Sequence, residues 1–257
     1  SASTDGVESS PTYGQKNYLS GPFLHYGDGV TDITTYLQMI QASESLRDIG
    51  AVNGEMALYL PNVKKPSIIN TALSQYAPVR NDREAMSWDL GDNGHLHYYE
   101  TNKAPIHLAG TIGNQAVAAN KRLTVVSTTK NAAGDITSIL FTADVAPGAD
   151  VNAIKAGDLL QYVDQTGYEN LRFLNHYGTT ASNQKVQLRA TADVGTNASH
   201  QVTITQLPVL TPNVNSPRGD QMRISSDIVA GMKFEVRPSH RAGAIITNKA
   251  FFMAMPK

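Results

Sequence analysis

Hydrophobic and polar positions along the chain follow two periods. In Thr31–Ile49, Ile33, Tyr36, Leu37 and Ile40 recur at helical spacing, and Met39, Ala42, Leu46 and Ile49 continue around the adjacent side. Thr31 or Asp32 can cap the start and Gly50 lies just past the end, so this segment is predicted to be the best helix. Such a stripe ordinarily packs into a core; a groove for a partner is the alternative. Ser67–Gln75, with Pro66 at its first turn, reads as a shorter helix.

Elsewhere the period is two. Glu55–Leu60 alternates Met56, Leu58 and Leu60 against Ala57 and Tyr59, and Pro61 ends it. Gly91-Asp92-Asn93-Gly94 turns into a strand over His95–Glu100, and Asn102–Gly110 leaves it as a loop. Leu123–Thr129 and Ile136–Val145 flank the loop Asn131-Ala132-Ala133-Gly134-Asp135 as a hairpin. Leu159–Val163, Lys185–Ala190 and Gln201–Leu207 add further short strands. Met232, Phe234 and Val236 then alternate with charged neighbours, and Ala244–Met255 is one apolar closing segment.

This texture divides the chain. Residues 1–30 form an extended arm, with Tyr13, Tyr18, Phe23 and Tyr26 set among glycines and prolines. Residues 31–120 and 211–257 read as two pieces of one α+β domain, with few helices and many short strands. Residues 121–210 read as an all-β insertion between them.

Composition narrows the classes. Charged residues make up 17% of the chain, against the usual ~25%. The 22 threonines and 18 asparagines that take their place favour strands and turns. A net charge of −1 without a polybasic run argues against a dedicated nucleic-acid binder. No stretch reaches the ~18 apolar residues of a membrane span; Ala244–Met255 comes nearest and is interrupted by Thr247, Asn248 and Lys249. With no cysteine there is no disulfide framework, thiolate zinc site or thiol nucleophile, which suits a reducing cytosol. Residues 1–10 are too polar for a signal peptide, and Ser1 in place of Met points to a front that is processed, tagged or cut.

Candidate chemistry is sparse. His95 and His97 share one strand face and, with His107, could ligate a metal for hydrolysis. A solvated strand face explains the first two as well. Asp89 and Asp92 bracket Gly91 without calcium-loop spacing and read as turn formers. Glu100 and Asp227 could be acid/base groups, but nothing in the sequence joins them. Ser239-His240 lacks a third member, and Asn197-Ala198-Ser199 is a glycosylation sequon without a secretory context. Phosphate-loop, dinucleotide and nucleophile-elbow motifs are absent. No cofactor, metal or catalytic residue is expected.

Two segments carry a resemblance. Tyr98-Tyr99-Glu100-Thr101-Asn102-Lys103-Ala104-Pro105-Ile106-His107-Leu108-Ala109-Gly110-Thr111 resembles a Y-E-[S/T]-N-x-x-P-x-H-x-A-G pattern of major coat proteins of tailed double-stranded-DNA phages. Ile246-Thr247-Asn248-Lys249-Ala250-Phe251-Phe252-Met253-Ala254-Met255-Pro256 resembles the h-x-K-x-A-F-x-x-A-M-P ending of the same group. The motif positions are Tyr99, Glu100, Asn102, Pro105, His107 and Gly110, then Lys249, Phe251, Met255 and Pro256. The resemblance implies a Hong Kong 97-type capsid fold with a β-rich insertion domain and no enzyme activity. It also implies self-assembly through hexamers and pentamers into an icosahedral shell, in a virion assembled in the host cytoplasm. Implied partners are scaffolding, portal and decoration proteins, with packaged DNA held non-specifically on the inner face; Arg218, Arg223 and Lys233 could contribute there, but scattered solvated charges explain them better. Only about 30 residues precede the first helix, fewer than in such coat proteins. The alternative is a β-rich tail or adhesin-type carbohydrate-binding module.

Overall fold

Strand-forming alternation governs most of the chain, and the computed structural model is accordingly mainly β. It describes residues 23–27, 36–48, 56–61, 89–93, 96–101, 106–143, 150–174, 180–212, 223–247 and 252–256. The expected α+β class and Hong Kong 97-type fold are corrected by this architecture: the described residues hold one α-helix, and their largest assembly is a closed six-stranded antiparallel barrel. The physical reason lies in the Thr-, Val- and Ile-rich period-two runs, which outnumber helical patterns and close on themselves. The shorter expected helix, Ser67–Gln75, falls outside the described residues.

The chain divides into two units, one formed by residues 21–106 and 240–257, the other containing residues 107–239. In the first, β1 (Phe23–His25), β2 (Met56–Pro61), β3 (Asp89–Asn93), β4 (Leu96–Thr101), β15 (His240–Thr247) and β16 (Phe252–Pro256) form a mixed sheet in the order β1-β16-β15-β2-β4-β3. The short β5 (Ile106–His107) pairs β15 off this path. β2 runs parallel to β4, with Tyr59 opposite Tyr99, and antiparallel to β15. The closing apolar segment Ala244–Met255 runs from β15 into β16, and Gly91, Asp92 and Asn93 of the expected turn Gly91-Asp92-Asn93-Gly94 belong to the end of β3, an edge strand with a bulge, while Gly94 lies outside the described residues. On β2, Met56 and Leu58 are buried while Tyr59 is exposed. The helix α1 (Tyr36–Asp48) buries Met39, Ala42 and Leu46.

In the second unit, β6 (Arg122–Lys130), β7 (Ile136–Ala143), β8 (Leu159–Tyr162), β11 (Gln187–Ala190), β12 (Gln201–Pro212) and β14 (Lys233–Val236) pair in the cycle β12-β11-β8-β14-β6-β7-β12, every pair antiparallel. Closure removes the open edges that would otherwise invite aggregation. β9 (Arg172–Leu174), β10 (Ala181–Lys185) and β13 (Arg223–Ile224) extend the sheet beside β12. The barrel interior is filled by the inward-facing half of each alternation. Phe234 meets Phe141 and Tyr162 edge to face, each pair of centroids 5.7 Å apart, with Leu123, Val125, Ile139, Val202 and Ile204 also buried. Such aromatic pairs add ~0.5–1.5 kcal/mol beyond area burial.

The β6–β7 hairpin closes through the side chain of Asn131. Its Oδ1 accepts the N–H groups of Ala133 and Asp135, each at 2.9 Å, and Gly134 supplies the positive φ of 85° that the turn needs. The sequence places the end of the insertion at residue 210, but β13 and β14 also join the barrel sheet, and contacts divide the chain at 239/240. The alternation of Met232, Phe234 and Val236 reveals a strand without telling which sheet it will join.

Candidate functional site

A group of buried polar side chains lies where the chain enters the barrel unit. The 108–115 segment follows β5 and has no sheet ladder of its own, so its backbone groups need other partners. Asp158 supplies several. Its carboxylate is fully buried and accepts the N–H of Gly110 at 3.1 Å (Oδ2) and 3.3 Å (Oδ1), and that of Lys155 at 2.8 Å (Oδ2). Nε2 of His107, itself 2% exposed, lies 3.0 Å from Asp158 Oδ1 without the alignment of a hydrogen bond. A buried carboxylate is tolerable only when so satisfied.

The same segment is tied to the chain's exit from the unit. Ala109 N–H donates to Ser239 Oγ at 2.8 Å, Asn114 Nδ2 donates to Ala109 O at 2.9 Å, and Ser239 N–H donates to Asn114 Oδ1 at 3.1 Å. Thr111 and Ile112 N–H groups donate to Asn152 O and Ala153 O. The backbone approach is so close that a Cβ on Gly110 would sit 2.4 Å from Ala153 O. This arrangement clamps backbone. Its side chains are engaged with the backbone and with one another.

The other motif positions lie elsewhere. Tyr99 on β4 stacks on Tyr59 (centroids 5.4 Å apart, planes at 22°) and is tilted against His97 at 4.6 Å. Glu100 pairs in register with Leu60, while Met255 and Pro256 on β16 pair with Ala244 and Ala242. Asn102, Pro105, Lys249 and Phe251 lie outside the described residues.

The structure treats the remaining candidates as structural parts. His97 and His107 belong to different units and His95 lies outside the described residues; among those described, no group of three His, Asp or Glu side chains could hold a metal. Asp89 and Asp92 are strand residues of β3. Asp227 contacts Lys130 and accepts the N–H of Ile228. Asn197 folds its own loop, its Oδ1 accepting the N–H groups of Ser199 and Gln201. Ser239 and His240 serve the anchor and the start of β15. Arg223 and Lys233 lie on β13 and β14, and Arg218 is outside the described residues.

Sequence reasoning missed Asp158. The available signal was an acidic residue set directly against the apolar pair Leu159-Leu160, where a solvated carboxylate is out of place. It also missed the ionic group that joins the end of β8 to β9 and β10. There Asp164 takes a bidentate contact from Arg172 (2.7 and 3.1 Å) and one from Lys185 (2.8 Å). Hydrogen bonding from Arg172 lowers the Asp164 pKa below its ordinary value. Burial raises that of Tyr162, whose hydroxyl donates to Glu169 O at 3.0 Å.

Neither a protein-family model nor a curated protein sequence matches the chain.

Proposed function

We propose that this chain is a structural, non-enzymatic coat subunit of a double-stranded-DNA phage, acting by association with copies of itself. The observation that carries the reading is the ordered pair of coat-protein motifs, Tyr99 to Gly110 and Lys249 to Pro256, set on either side of an all-β segment. Two features support it. Strands β4 and β16, which bear parts of the two motifs, belong to one sheet although far apart in sequence. The amide of Gly110 donates to the buried Asp158 carboxylate, which His107 also faces, a backbone anchor that suits a building block. The reading rests on these motifs and not on a Hong Kong 97-type architecture. Scaffolding, portal and decoration proteins, and non-specifically held DNA, are the partners it brings with it, and the virion assembled in the host cytoplasm is its location.

Light scattering and negative-stain microscopy of the full chain test the proposal. Capsomer-sized oligomers or shells are expected. A strictly monomeric species at high concentration, absent from any particle, overturns it. A β-rich carbohydrate-recognition module is the second reading, favoured by the closed barrel. It predicts monomeric protein with defined binding on a glycan array.

A further inference from the structure

We draw no further inference here: the strongest candidate, the partly exposed aromatic row Tyr59–Tyr99–His97 on the β2–β4 face of the first unit, is a sheet face for which nothing in the structure shows what covers it.

Discussion

The amide of Gly110 donates to the carboxylate of Asp158 across 48 positions of sequence, at 3.1 Å and with both groups buried. The contact requires a residue without a side chain, because the backbone of Ala153 fills the space a Cβ would occupy. Gly110→Ala must therefore push the entering segment away from residues 152–153. Overpacking against backbone has no flexible side chain to relieve it, so a loss of about 3 kcal/mol is expected in urea melts. An unchanged midpoint would remove the anchor from the account of stability.

Asp158 can be tested without changing volume. Asp158→Asn keeps the shape but loses the charge and one acceptor, so the amides of Gly110 and Lys155 compete for the oxygen that remains and an amide nitrogen faces one of them or His107. Breaking a buried charged contact typically costs ~3–5 kcal/mol, and an unmet neutral donor ~1–3 kcal/mol. The expected loss lies toward the lower range, since the amide oxygen still accepts. His107→Gln should cost less than Asp158→Asn, because the Gly110 and Lys155 bonds survive. Thermal melts of the two variants check that order.

Much of the strand layout was legible because a half-buried strand writes its period into the sequence. Met232, Phe234 and Val236 alternate since one face of β14 lines the barrel, and Asn131 to Asp135 announce their hairpin through turn chemistry. Partner choice was not legible. No local pattern states that β14 lies between β8 and β6, or that β12 closes on β7. The same limit hid the anchor. His107 and Gly110 were singled out by wording, but their partner Asp158 is defined by a contact in space, and Ser239 was weighed as a nucleophile when its hydroxyl serves the backbone.

His200 sits at φ 59°, the one described non-glycine residue in left-handed backbone. Its conformation is fixed by the Asn197 loop and by its carbonyl, which accepts the N–H of Ala143. Left-handed backbone costs ordinary residues ~1–2 kcal/mol and asparagine less. His200→Asn should raise stability by about 0.5 kcal/mol, and His200→Val, with its branched Cβ, should lower it by more than 1 kcal/mol. Differential scanning calorimetry of the pair reads the sign directly.

Asp164 predicts a response to acid. Its folded pKa lies below the unfolded value, so its contribution is present above the ordinary carboxylate range, near pH 4, and is lost as pH falls through the folded pKa. The side chain is 39% exposed, so solvent screening keeps the contribution below ~1 kcal/mol. Arg172→Ala should flatten stability between pH 5 and 3 relative to the parent, and added salt should narrow the difference (about 10 Å Debye length at 0.1 M). Equal slopes in the two proteins would remove Asp164 as the source.

The barrel unit should fold by itself. The chain enters at His107 and leaves at Ser239, and the two ends are already joined within the unit through Ala109, Ser239 and Asn114. The six-stranded cycle closes within residues 122–236, so excision leaves no barrel strand without a neighbour. Residues 107–239 expressed alone are expected to show β-type circular dichroism, a cooperative melt and dispersed amide resonances. Ser239→Ala in that fragment removes the acceptor for the Ala109 amide and should cost ~1 kcal/mol. A fragment that melts without cooperativity would mean that the barrel depends on the other unit for its packing.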